Sequence, residues 1–106
     1  MNTPHSQILS MAGLVDYREG SVVSRVIVKG ETSNVTLFAF DQGQELSEHT
    51  APFDALVHVV EGEVEIKISG QPYALKTGEA IIMPANQPHA VKATRRFKML
   101  LTMIRA

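Results

Sequence analysis

The sequence predicts an all-β sandwich or barrel, and three observations carry that prediction. From Ser21 onward, short runs rich in Val, Ile, Leu and Phe are separated at close intervals by turn residues. Within Glu63–Lys67, Val64 and Ile66 alternate with Glu63, Glu65 and Lys67, the period of a strand with one face in a core and one in water. Two other runs, Ala55–Val60 and Phe97–Ile104, are apolar on nearly every residue, so both of their faces must be covered.

Taken in order, residues 1–20 read as an N-terminal arm and 21–106 as one barrel domain. In the arm, Ile8, Leu9, Met11, Leu14 and Val15 form a short helix or an extended segment, with Gly13 weakening the helix. Strands are expected at 22–29, 34–41, 45–49, 54–60, 63–69, 73–76, 80–84, 88–93 and 96–104. The breaks fall at Gly30-Glu31, Asp41-Gln42-Gly43, Glu61-Gly62, Gly70-Gln71-Pro72, Thr77-Gly78 and Ala85-Asn86. Glu61-Gly62-Glu63 reads as a tight hairpin. The second faces of Ala55–Val60 and Phe97–Ile104 need a cover, and a homodimer is the expected one. The N-terminal arm is the alternative.

Length and composition narrow the function classes. The chain has 106 residues, one domain's worth, enough to bury a core without staples. It has no Cys, which excludes disulfides, thiolate metal ligands and cysteine nucleophiles. Net charge is −1 and no basic patch is denser than Arg95-Arg96-Lys98, which argues against nucleic acid as a partner. The first twenty residues lack a secretory pattern and no apolar run is long enough to span a bilayer. A cytoplasmic location and no membrane partner are expected. No Ser-His-Asp set, phosphate-binding glycine loop or paired-carboxylate spacing is present.

Two stretches together resemble the cupin family. The first is Gly43–Gly62, GQELSEHTAPFDALVHVVEG, and the second is Gly78–His89, GEAIIMPANQPH. The usual first motif is a Gly, five residues, His-x-His, three or four residues, a Glu, six residues and a Gly. Gly43, His49 and Gly62 keep that frame, while Ala51 stands at the second His and Ala55 at the Glu. The usual second motif is a Gly, five residues, Pro-x-Gly, two residues, a His, three residues and an Asn. Gly78, Pro84 and His89 match it, with Asn86 in place of the Gly and Ala93 in place of the Asn. The resemblance covers about residues 21–104. It implies a double-stranded β-helix, the RmlC-like jelly-roll barrel of cupins, with a pocket at one mouth and a homodimeric assembly.

The same resemblance implies a divalent metal, Fe, Mn, Ni or Zn, held by two His and a Glu of the first motif and a His of the second. Only His49 and His89 fill such positions here. Asp54, one residue before the Glu position, is the candidate third ligand if a β-bulge turns it inward. Glu48 should face opposite to His49, and the Gln87 amide is a poorer donor. Two small apolar residues at vacated ligand positions fit a pocket that works without a metal. The expected pocket comprises His49, Ala51, Asp54, Ala55, Val57, Met83 and His89, with further wall from Phe53, Phe38 or Phe40, and Met99 or Met103. His58 should point away from the interior, His5 should be solvated, and Glu61, Glu63 and Glu65 should form an exposed charged edge.

Three functions fit these residues. One is a cupin that binds or senses a small molecule. The second is a metal-dependent dioxygenase or isomerase using His49 and His89. The third is a metal-free enzyme with one of the two histidines as general base. Fold alone does not choose among them, and the substrate is not written in the sequence.

Overall fold

The computed structural model describes residues 3–105. Its strands are β1 (Val22–Lys29), β2 (Ser33–Phe40), β3 (Glu45–His49), β4 (Asp54–Ile68), β5 (Gln71–Lys76), β6 (Ala80–Met83), β7 (His89–Lys92) and β8 (Phe97–Ile104). All pairings are antiparallel. One sheet runs β1-β2-β8-β4-β6 and the other β5-β4-β7-β3, so β4 belongs to both. The all-β expectation holds.

The sequence reading fails at Glu61-Gly62. No hairpin forms there, and one long strand replaces the two expected at 54–60 and 63–69. Residues 54–62 pair with β8 and, at their start, with β6, whereas residues 63–68 pair with β5 and β7. The register against β8 slips between Val59 and Glu61, a bulge that lets the strand turn the corner between sheets. Gly62 completes the corner with φ of 94°. A Cβ at this position would lie 2.1 Å from the Arg96 carbonyl oxygen and 2.8 Å from Phe97 Cα. Both are backbone atoms of the paired chain, so nothing can swing aside. Glycine is what lets β8 close on the bend.

Alternation then sorts the side chains. Ala55, Val57 and Val59 from the first half of β4, and Val64, Ile66 and Ile68 from the second, enter one core. Phe40 and Phe97 stack at a centroid distance of 4.6 Å beside the corner. A second, smaller core lies on the outer face of the β1-β2-β8-β4-β6 sheet. There Leu9, Met11, Leu14, Val15 and Tyr17 of the arm cover Leu37, Ala39, Val60 and Leu100. The described part of the arm contains no strand or α-helix and carries one 3-10 turn, Met11–Gly13. Its end is locked down by polar contacts. The Tyr17 hydroxyl donates to Glu61 at 2.6 Å, and the Lys98 ammonium donates to the Ala12 carbonyl. Lys98 also sits 4.8 Å from the Tyr17 ring centroid. Burial, and then the Glu61 carboxylate, push the Tyr17 phenol well above its usual range. Glu61 is therefore the arm's anchor rather than part of a solvated edge. Asp41 ties the arm's end in the same way, accepting from Gly20 N–H at 2.7 Å and from Arg96 Nε at 2.7 Å.

The arm leaves part of the outer face bare. Leu56, Ile82 and Ile104 are 38%, 60% and 54% exposed.

Gly62 and Gly70 both adopt left-handed φ, but only Gly62 has backbone against its Cα. In chemical denaturation Gly70→Ala should cost about 1 kcal/mol, the conformational penalty alone. Gly62→Ala should cost at least about 2 kcal/mol, because strain and a backbone clash add. Equal losses for the two variants would show that the corner does not depend on the close approach.

Candidate functional site

Both ends of β4 return to one loop, residues 84–88. Ala85 N–H donates to Asp54 Oδ1 at 2.9 Å at the strand's start. Ser69 N–H donates to the Pro88 carbonyl at 2.8 Å just past its end. Asn86 N–H donates to the Ala51 carbonyl at 2.7 Å, joining the loop that precedes β4. Asn86 has φ of 63°. That left-handed conformation is one asparagine tolerates better than most residues, so it fills the place of a turn glycine. These bonds bring the last residue of β3 and the first of β7 together at the barrel mouth.

Those two residues are His49 and His89, paired in register. Leu46 packs on the core, so strict alternation would send Glu48 inward and His49 outward. The register shift between Leu46 and His49 inserts one extra residue in β3 and reverses this. His49 Nε2 comes to 3.1 Å from His89 Nε2, with the rings edge to face at 4.4 Å between centroids. His49 is exposed, and His89 is 5% exposed.

The partners of the other ring nitrogens fix the protons. His49 Nδ1 lies 2.7 Å from the Ser47 carbonyl, which can only accept, so Nδ1 carries hydrogen and, in the neutral ring, Nε2 is the acceptor. His89 Nδ1 is 3.3 Å from the Gln87 carbonyl, a longer contact. In a neutral pair one Nε2 must carry the proton that joins the rings, and placing it on His89 gives up the longer Nδ1–Gln87 contact in exchange for a bond donated to His49 Nε2. Burial first, and then repulsion from His49, hold the His89 imidazolium below its usual range, which favours this neutral arrangement.

The remaining sequence-predicted residues fall into three groups. Ala51 is half-buried at the mouth, and Ala55 and Met83 are buried partners in adjacent strands. Val57 lies one row deeper and is fully buried in the core. Asp54 is exposed on the outer side of β4, its carboxylate occupied by Ala85 N–H. Of the lesser candidates, Gln87 Oε1 accepts from the Ser69 hydroxyl at 2.9 Å. Glu48 lines a groove shared with Glu45, Glu65 and Lys67. His58 is exposed, as its parity requires.

A metal ion has a partial fit here. Two imidazole nitrogens at metal-bond length from one ion lie about 2.9–3.4 Å apart, so 3.1 Å suits adjacent coordination positions. The donor set stops there. Among the described residues no group of three His, Cys, Asp or Glu side chains could hold an ion together.

Sequence reasoning missed Asn34 and Thr36. By register, Met83, Ala55, Met103 and Asn34 form one interior row across the sheet. Val57, Leu101 and Thr36 form the next row inward. Thr36 is 6% exposed, and its hydroxyl donates to Asn34 Oδ1 at 3.3 Å. The alternation Asn34-Thr36-Phe38-Phe40 carried the signal, but it did not say which face of β2 was inside.

With the geometry in hand, the comparisons agree with it. The family model described as "Cupin domain" matches residues 36–104, and the chain belongs to that family. A crystal structure of a conserved protein of unknown function from Streptococcus pyogenes is 34% identical, with TM-score 0.93, covering 100% of this chain and 93% of that one. A cupin 2 conserved barrel domain protein from Leptotrichia buccalis is 43% identical, with TM-score 0.86. That match covers 89% of this chain and 46% of the Leptotrichia chain, so the present chain spans less than half of that protein. An uncharacterized protein of Aquifex aeolicus is 29% identical over 99 residues, 92% of this chain and 82% of the other. The barrel is a cupin double-stranded β-helix, and these relatives bring no activity with them.

His89 makes stability depend on pH. Its proton affinity is lower folded than unfolded, so the unfolded chain takes up the extra proton as pH falls. Its contribution is intact above the ordinary histidine value of 6.5 and is lost progressively below it. Thermal melting should therefore fall between neutral pH and about pH 5, and fall less in His89→Gln. Parallel pH profiles for the two proteins would remove His89 as the cause.

Proposed function

We propose that this cupin binds a small molecule at the barrel mouth, with a reduced metal site in which His49 and His89 serve mainly as hydrogen-bonding groups. One observation carries the reading. Asp54, the candidate third ligand, is committed to the Ala85 N–H on the outer side of β4, while Ala51 and Ala55 bring no donor. The two imidazoles then have no third donor among these positions, and Ala55, Met83 and Met103 form one apolar row across neighbouring strands. An apolar wall with a few convergent polar groups is what a small-molecule site requires.

The second reading is a metal-dependent enzyme of the dioxygenase or isomerase type. The 3.1 Å separation of the two Nε2 atoms favours it. An ion there would need His89 to move its proton to Nδ1, facing the Gln87 carbonyl, and would draw its other ligands from solvent or substrate. Such a two-histidine site holds metal weakly, since stable catalytic centres normally supply three protein ligands.

The assembly proposed with this reading is a homodimer in a cytoplasmic setting, its interface on the part of the outer face that the arm leaves bare. Leu56 and Ile82 are cross-strand neighbours there, and Ile104 lies on the same side.

One preparation of untagged protein tests both proposals. Elemental analysis after dialysis should find metal well below one equivalent. Stoichiometric Fe, Mn, Ni or Zn that is lost in both His49→Ala and His89→Ala would establish the metal-dependent reading instead. Light scattering on the same sample should give twice the chain mass, and Leu56→Lys with Ile82→Lys should give the single mass. A monomeric native protein at micromolar concentration would contradict the dimer.

A further inference from the structure

We infer that one side of the mouth is an anion subsite, built by Lys29, Asn34 and Arg105, and that the ligand is a small carboxylate with an apolar body. The inference rests on the mouth being the binding site, as proposed above, and names the ligand class.

The subsite follows from a second β-bulge. Val26 pairs with Thr36 on the interior side of the first sheet. Regular alternation would place Val28 beside it and turn Lys29 outward. The register shifts between Val26 and Val28, so Val28 pairs with Val35 and Lys29 pairs with Asn34. Val28 is thereby left 40% exposed outside. Lys29 instead extends the interior row, which now reads Met83, Ala55, Met103, Asn34, Lys29 across five strands. The row passes from apolar through amide to ammonium within one sheet. Bulges near a rim commonly re-aim a side chain in this way, here at the cost of exposing a valine.

A groove of about 180 Å³ opens at this end, and its wall includes Lys29, Glu31, Asn34, Phe53, Met103 and Arg105. Arg105 is fixed beside the β1–β2 hairpin by its backbone N–H, which donates to the Thr32 carbonyl at 2.8 Å. Among the described residues the ion pairs engage Arg95, Arg96 and Lys98, and neither Lys29 nor Arg105 is paired with a described carboxylate. Thr36 holds Asn34 Oδ1, while Asn34 Nδ2 donates to no acceptor among the described residues. Among the described residues the groove thus presents two cations and an amide donor against one carboxylate, Glu31. Arginine and lysine together suit an oxyanion, and the guanidinium can grip a carboxylate with two parallel bonds. Phe53 and Met103 give the remainder of the ligand an apolar surface, which inorganic phosphate would not use.

The test is a titration of ¹⁵N-labelled protein with hexanoate and benzoate, their uncharged amides, and inorganic phosphate. The acids should shift the backbone amides of residues 29–34 and 103–105 saturably, and more strongly than phosphate. The uncharged amides should leave them in place. Lys29→Gln and Arg105→Gln, both at exposed positions, should retain dispersed spectra and each weaken the acids by about 3- to 10-fold. Glu31→Gln should tighten them. Equal binding of acid and amide, or affinity unchanged in both cation variants, would overturn the subsite. So would silence of these residues up to about 10 mM acid, the weak end of specific small-ligand binding. Shifts confined to residues around His49 and His89 would also overturn it while leaving the mouth as the binding site. Phosphate binding tighter than the acids would overturn the carboxylate assignment.

Discussion

The structure depends on one strand serving two sheets. β4 pairs with β8 and β6 before Gly62 and with β5 and β7 after it. β8 can close on the corner because Gly62 leaves free the space that the Arg96 carbonyl and Phe97 Cα occupy. Were β4 a hairpin, its two halves would be neighbours in one sheet and the barrel would not close. As a bent strand it joins the sheets, and its two ends converge on the loop at 84–88. That convergence puts the end of β3 against the start of β7. The histidine pair is a consequence of strand closure as much as of the histidines themselves.

Local irregularities then decide which side chains face the mouth. A shift in β3 brings His49 inward in place of Glu48, and a shift in β1 brings Lys29 inward in place of Val28. A third, in β4, makes the corner. Each adds one residue to one strand and reverses parity beyond it. Two of these irregularities set side chains at the barrel's rim, and the third keeps both halves of β4 facing the same core.

This explains what could be read from the sequence. Strand positions were legible because turn residues and apolar alternation are local signals. His49, His89 and the vacated positions at Ala51 and Ala55 were legible because the two motif frames carry the irregularities with them. The continuity of β4 was not legible, since Glu-Gly-Glu reads as a turn and its partner across the corner lies some thirty-five residues away. Lys29 and Asn34 were not legible either. The inward placement of Lys29 depends on a bulge set by pairing with β2, and nothing in the run VVSRVIVK marks it, while Asn34 follows the regular alternation of a strand whose inner face was not legible. The role of Glu61 was misjudged for a similar reason. Glu63, two residues on, is solvated, but the partners of Glu61, Tyr17 and Lys98, come from the arm and the last strand.

The central claim is that His49 and His89 form a mutually hydrogen-bonded pair with no third protein donor. Imidazole ¹⁵N chemical shifts on the native, untagged protein at neutral pH test it most directly. The account predicts a proton on Nδ1 of His49 and the Nε2–H tautomer for His89, with the His89 ring uncharged. Both rings protonated only at Nδ1, with both Nε2 atoms shifted as metal ligands, would contradict it.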